Sequence, residues 1–225
     1  MIIAIYKPEG PTSNDVVQMV KRATGAKKVG HAGTLDPLAR GVLVLGIGRE
    51  ATKKLSEVVR KEKEYVASIK LGQTSITDDQ EGVSAKAQEE SKNTVDRPGQ
   101  QKIDKILQKF VGKITQTPPL YSAVKIKGKE AYKYARRGQK VELTPRVVEI
   151  KSIELLEYEW PVLKIKVITG PGVYIRSLAR DIGQELGTGA YLADLERTRV
   201  GQWTKDKAVS LEKLPTRYSL NSTSR

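Results

Sequence analysis

Cysteine is absent from the 225-residue chain, and histidine occurs once, at His31. Disulfides, iron–sulfur clusters and thiolate zinc sites are thereby excluded, as is a histidine-rich metal site. A Ser-His-Asp triad would have to recruit His31, and no GxSxG elbow accompanies it. Neither GxGxxG nor GxxxxGKS/T occurs, so nucleoside triphosphate chemistry has no support. No apolar run approaches the roughly 20 residues of a membrane span. The opening MIIAIYKPEG lacks a basic n-region and a small-residue cleavage site. It reads as a first strand rather than a signal peptide, and a cytoplasmic chain is expected. Acid is scarce beside base: 26 Asp+Glu face 40 Lys+Arg, a net charge of +14. Such an excess points to a polyanion, with a solvated basic surface as the other reading. An anionic membrane has little support, because no basic amphipathic helix with a broad apolar face stands out.

What is present suits a soluble globular chain of one large domain or two small ones. Ile2 to Tyr6 is apolar and β-branched, which predicts a strand. Thr12, Ser13 and Asn14 offer N-caps for a helix through about Ala23, with Val16, Val17 and Val20 on one face. Val42 to Ile47 is a short apolar run, expected as a buried strand. Glu50 to Val59 has helical spacing, and Tyr65 to Leu71 alternates like a strand. Thr74 to Asn93 is polar and predicted as a long surface loop with a turn. Gln101 to Val111 reads as a short amphipathic helix. Arg146 to Leu156 and Val162 to Thr169 read as strands joined around Glu159-Trp160-Pro161. Tyr174 to Leu186 reads as a helix stopped by Gly187, and Leu192 to Val200 as a strand. Strands and helices mix without a regular βαβ alternation, which predicts an α+β fold. The tail Thr216 to Arg225 is polar and expected to fray.

Four features could carry chemistry. Asp36 stands in GHAGTLDPLARG, residues 30 to 41, among three glycines and two alanines. Asp-Pro is a common turn element, so a purely structural role is open. The glycines permit close backbone approach, and Leu35 and Leu38 flank the carboxylate, so a rigid mount for a functional Asp36 is open too. Arg176 falls in the first turn of its helix, where the dipole disfavours a cation, and a carboxylate partner is expected. Tyr65 is either a packing residue or an aromatic plane for a flipped base. Lys125 to Lys140 interleaves Lys and Arg with Tyr132 and Tyr134, which suits either a solvated face or an RNA-binding edge.

Five stretches in order resemble the TruB family of pseudouridine synthases. They are KPEGPTSNDVV, GHAGTLDPLARGVLVLGIGREATK, KEYVASIKLGQTSITDDQEG, PPLYSAVKIKGKEAYKYARRG and GPGVYIRSLARDIGQELG. The resemblance runs from about Ile2 to Val200. It implies a pseudouridine synthase fold, with a mixed, largely antiparallel central sheet flanked by helices. It implies one catalytic domain over 1–215 with an RNA-gripping insertion at about 120–145, then the tail 216–225. The implied activity is isomerisation of uridine to pseudouridine without cofactor or metal, at uridine 55 in the T-loop of tRNA. Asp36 matches the catalytic aspartate, Tyr65 the tyrosine that stacks on the flipped uracil, and Arg176 the arginine paired with the aspartate. Lys7, His31, Leu195 and Tyr174 match residues lining the substrate site. Lys125, Lys127, Lys129, Tyr132, Arg136 and Arg137 fall in the RNA-gripping stretch. Arg40 stands where many members carry a small or hydroxylated residue.

The chemistry agrees with these roles. Breaking the C1′–N1 bond passes through an oxocarbenium-like state, which an ionised carboxylate can attack or stabilise. The carboxylate could instead take a proton from the sugar, and both routes stay open. A nearby arginine favours the ionised carboxylate. The base must leave its stack first, and an aromatic plane receives it. The expected protein is a monomer with tRNA as its partner, and with no membrane and no obligatory protein partner. About 25 residues follow Val200, too few for a C-terminal RNA-binding domain of the PUA type, so none is expected within this sequence, and a compact member and a truncated chain are both open. A guide-RNA-dependent synthase and a non-catalytic RNA binder are the competing readings.

Overall fold

The computed structural model describes residues 1–83, 97–126, 128–139 and 141–213. Lys127, the second half of the expected 74–93 loop and the tail 216–225 lie outside the described residues. The chain divides into two compact units, Met1–Val66 with the residues from Leu195 onward, and Ala67–Asp194.

The first unit is organised around one central strand. Strand β1 (Ile2–Lys7) pairs antiparallel along β3 (Arg40–Ile47), from Ile2 opposite Gly46 to Lys7 opposite Gly41. The other edge of β3 is shared. Strand β2 (Val29–His31) takes Leu45 to Ile47, and β10 (Ala190–Val200) runs parallel beside Arg40 and Gly41. Strand β12 (Val209–Ser210) adds to β1 in parallel, and β11 (Trp203–Thr204) folds back on β10. Val42 to Leu45 are all fully buried, as a strand covered on both faces requires. Helix α1 (Ser13–Thr24) begins at a capping box. Thr12 Oγ1 accepts the Asp15 N–H at 3.1 Å, and the Asp15 carboxylate accepts the Thr12 N–H at 2.9 Å. It ends at Gly25 in the left-handed region and buries Val16, Val17 and Val20, the face expected from spacing. Helix α2 (Arg49–Val59) buries Ala51, Leu55 and Val58. Leu55 and Val58 join Ala4, Ala32, Val42, Val44 and Val200 in one apolar cluster. Each fully buried aliphatic side chain contributes about 2 kcal/mol.

In the second unit the strand order is β10, β4 (Lys63–Leu71), β9 (Val162–Thr169), β8 (Arg146–Glu159) and β5 (Gly112–Gln116). Strands β4 and β10 carry residues of both units. The β8–β9 and β5–β8 pairings are antiparallel. Helix α3 (Gln100–Lys109) packs against the last helix, and Lys109 reaches that helix at Glu185 with 2.9 Å. Between them comes the basic stretch: a small hairpin of β6 (Lys125–Ile126) and β7 (Lys129–Glu130), then the short α4 (Ala131–Ala135). Helix α5 (Ile175–Leu186) buries eight of its 12 residues, including Arg176 and Ser177. The expected α+β class is therefore present, with a mixed and largely antiparallel sheet. The two-residue strands and β5 escaped the sequence pattern, because GKITQ buries only its last residue and shows no apolar alternation. Among the described residues no helix is long and apolar enough to cross a membrane.

Gly183 lies inside α5, where alanine would ordinarily gain about 1 kcal/mol. A Cβ there would collide with the backbone of Gly189 and Ala190. Gly183→Ala is expected to lower stability by about 1–3 kcal/mol, read as a fall in the urea midpoint.

Candidate active site

Asp36 sits half-buried in the loop between β2 and β3, and the backbone on both sides of it is tied down. Ala32 N–H donates to the Val44 carbonyl at 2.9 Å. The buried Ser13 hydroxyl brackets Leu35: it donates to Leu35 O at 2.9 Å and accepts Leu35 N–H at 2.8 Å. Pro37 O accepts from Gly10 N–H at 2.9 Å and from Lys7 Nζ at 3.3 Å. Ala39 N–H closes a turn onto Asp36 O at 3.1 Å. Leu35 and Leu38 point into the interior, as their flanking positions suggested. The carboxylate is thus carried on a loop whose anchors come from α1, β3 and the turn after β1.

Cations surround this loop. Lys7 is fully buried, and its ammonium donates to Pro8 O and Pro11 O at 2.8 Å each, besides Pro37 O. Burial pushes its pKa down to about 8, although the charges of Asp36 and Glu9 pull upward. Lys63 donates to Val59 O at 2.9 Å and Lys61 O at 2.8 Å, and burial with the Arg197 charge takes it to about 8 as well. His31 is held below its ordinary range by burial and by Arg197, so its imidazole is neutral at pH 7. Arg197 itself was not singled out by sequence reasoning. Its only signal was a charged residue in a strand pattern, LERTRV. Tyr65 and Leu195 are each 6% exposed, in β4 and β10. The first unit therefore carries Lys7, His31, Asp36, Tyr65 and Leu195 together.

Arg40 has a local account. It lies opposite Glu196 in the β3–β10 register. Tyr6 donates its hydroxyl to Glu196 at 3.0 Å, and the Arg40 side chain hydrogen-bonds to Tyr6 from the other direction.

In the second unit Arg176 finds the carboxylate that its place in the first turn of α5 called for. Its Nη1 lies 3.3 Å from Asp79 Oδ2 and donates to Thr77 O at 3.1 Å, while Nη2 donates to Tyr121 O at 2.9 Å. Asp79 is fixed in turn by Thr77 Oγ1 at 2.5 Å and Glu81 N–H at 3.1 Å. One helical turn on, Arg180 grips Asp78 at 2.6 Å and the Thr117 carbonyl at 2.9 Å. Burial raises the Asp78 pKa, with Arg180 and Arg176 opposing. The TDD stretch expected as surface loop is thus half internal: Asp78 and Asp79 are buried against α5. Tyr174 caps α5 through its backbone, exchanging hydrogen bonds with the buried Gln116 side chain at 2.9 and 3.1 Å. The Arg146 guanidinium lies 5.0 Å from the Tyr174 ring centre.

The basic stretch leaves Lys125, Lys129, Arg136 and Arg137 exposed, with Tyr132 half-buried beneath Arg136 at 5.5 Å. Lys129, Lys133, Tyr134 and Arg137 line a cavity of about 320 Å³. No group of three or more His, Cys, Asp or Glu among the described residues could hold a metal ion.

Residues 21–175 match the TruB family pseudouridylate synthase N-terminal domain, and residues 176–224 match the tRNA pseudouridylate synthase B C-terminal domain. The chain belongs to the TruB family of pseudouridine synthases. It is 45% identical over 217 residues to the tRNA pseudouridine synthase B of Corynebacterium diphtheriae, covering 95% of this chain and 71% of that one. With the same enzyme of Parabacteroides distasonis it shares 43% over 219 residues, covering 95% and 91%. Among solved structures, a Cbf5-Nop10-Gar1 complex aligns with a TM-score of 0.72 at 33% identity, over 94% of this chain and 52% of that one. The archaeal box H/ACA sRNP Nop10-Cbf5 complex gives 0.68 at 30%, over 95% and 52%. The chain spans about half the length of those solved chains. The fold expected from the five motifs is therefore that of the family, and this TruB-family chain is an isomerase.

The depressed lysines of this synthase have a measurable consequence. Between about pH 8 and 10 the folded chain has released protons that unfolded Lys7 and Lys63, with ordinary pKa 10.5, still hold. The unfolded state binds more protons there, so this contribution makes stability rise with pH. Tyr6, Tyr158 and Tyr191, all raised above 10.0, oppose it only at the alkaline end. Lys7→Met is expected to flatten the slope, measured as urea midpoints at about pH 7.5 and 9.5.

Proposed function

We propose that this synthase isomerises uridine 55 in the T-loop of tRNA, with Asp36 acting on a flipped-out nucleotide. The observation that carries this reading is the Asp36 mount. The backbone on either side of Asp36 is anchored to buried groups, while the residue itself is only half-buried. Such a mount suits a group that must meet one atom of a ligand. The Tyr65 ring receives the uracil, Leu195 gives it an apolar contact, and Arg176 supplies the charge that the family pairs with its aspartate. Lys7 holds the loop, and His31 and Tyr174 line the substrate site. Lys125, Lys127, Lys129, Tyr132, Arg136 and Arg137 grip the RNA backbone.

The reaction balances without a cofactor. The C1′–N1 bond breaks, a C1′–C5 bond forms, the C5 proton leaves, and N1 ends protonated. Asp36 serves the first step as nucleophile or as base toward the sugar. The +14 net charge supports a polyanionic substrate, and the synthases of C. diphtheriae and P. distasonis carry tRNA in their names. The proposed enzyme acts as a cytoplasmic monomer without a protein partner.

Tritium release from a C5-labelled T-arm stem-loop tests this. The purified chain is expected to release it unaided, and Asp36→Asn to fall to about a thousandth of that rate or lower. Retained release by Asp36→Asn would overturn the role of Asp36. Release only in the presence of a guide RNA, or binding without release, would overturn the stand-alone enzyme. Asp79→Asn is expected to loosen Arg176 and lower kcat about tenfold to a hundredfold with KM little changed. Single-turnover rates at saturating stem-loop check it.

A further inference from the structure

We propose that Arg197 is a positioning residue for the reaction: its guanidinium, sealed inside the first unit and bound by three backbone carbonyls, sets the turn on which Asp36 stands. The inference rests on the role given to Asp36 above.

Arg197 is 1% exposed. Its Nε donates to Val42 O at 2.7 Å, Nη2 to Gly33 O at 3.1 Å and Nη1 to Thr34 O at 3.4 Å. Among the described residues no carboxylate pairs with it. A buried cation without a counter-charge is costly, and an apolar side chain of similar length would fill the same space without that cost. Packing therefore does not explain the guanidinium. Its geometry does. The planar fork reaches two consecutive carbonyls, those of residues 33 and 34, and ties them to a third on β3. Asp36 follows two residues later.

The base of the fork is as fixed as its tip. Gly41 sits at φ +110° opposite Arg197 in the parallel register, and a Cβ there would collide with the Arg197 backbone. Gly33, at φ +97°, lies where a Cβ would meet the guanidinium and the Lys63 stem at 3.7 Å each. The turn before Asp36 is thus shaped around the fork. A lysine would keep the charge but offer its donors from one point, and could not hold both carbonyls in the same way.

The test compares Arg197→Lys and Arg197→Met with the parent enzyme below their melting temperatures. Both are expected to lower kcat on the order of a hundredfold, with KM for the T-arm stem-loop within about twofold. His31, the sole histidine, gives one imidazole NMR titration that reads the local charge. Its pKa is expected to rise in Arg197→Met and to stay in place in Arg197→Lys. Gly33→Ala keeps every charge and disturbs the same turn through its φ, so it should show the kcat loss without the upward His31 shift; loosening the Gly33 backbone contact to His31 can only lower that pKa. Folded Arg197 variants with the parent kcat would overturn the proposal. If they do not fold, parental kcat in Gly33→Ala would overturn it. An active Asp36→Asn instead removes the reading on which it rests.

Discussion

Cations held by backbone carbonyls underlie the Asp36 loop. Lys7 joins the turn after β1 to Pro37 on one side of Asp36, and Arg197 joins Gly33 and Thr34 to β3 on the other. Neither bond set relies on a carboxylate. A loop rich in glycine and alanine has few side chains with which to pin itself, so carbonyl oxygens become its handles. The donors that reach them are the long cationic side chains of neighbouring strands. The cost is buried positive charge, seen in the depressed proton affinities of Lys7 and Lys63. It is offset by carbonyl dipoles and by the negative charge of Asp36 beside Lys7.

The second unit handles its cations differently. Arg176 and Arg180, one turn apart on α5, take the consecutive carboxylates Asp79 and Asp78. Both arginines also donate to loop carbonyls, of Thr77 and Tyr121 and of Thr117. The result fastens two loops to one helix face. Breaking either pair by removing one partner leaves a buried charge uncompensated, which costs more than the pair itself contributes. A surface pair such as Lys53–Glu50 has no such consequence, since both groups are well exposed.

The two arrangements differ in what holds their charged groups. A mount built on carbonyls leaves the half-buried Asp36 as the acidic residue of its loop, with His31, its pKa lowered, and positive neighbours around it. The carboxylate-clamped arginine keeps a fixed orientation at the start of α5, although the helix dipole disfavours a cation there. Tyr174 and Gln116 brace that helix start through backbone bonds, so the arginine is oriented from both its head and its root.

Much of this was legible along the chain. Alternation, apolar runs and helical spacing located β1, β3, β4, β8, β9, α1, α2 and α5, because each buries one continuous face or, in β3, both. Five ordered motifs named the family and marked Asp36, Tyr65 and Arg176. Very short strands were invisible, since two residues carry no period. Asp78 and Asp79 read as solvent loop, because polar composition cannot show that a buried guanidinium waits across a gap of about a hundred residues. Arg197 was missed for the same reason: one charge in a strand pattern looks solvated until the carbonyls of residues 33, 34 and 42 close around it. The sequence by itself determined which segments bury an apolar face and which residues have the chemistry. Tertiary structure alone decided which charges lie inside and what holds them, because burial and hydrogen bonding depend on contacts between residues far apart in the chain.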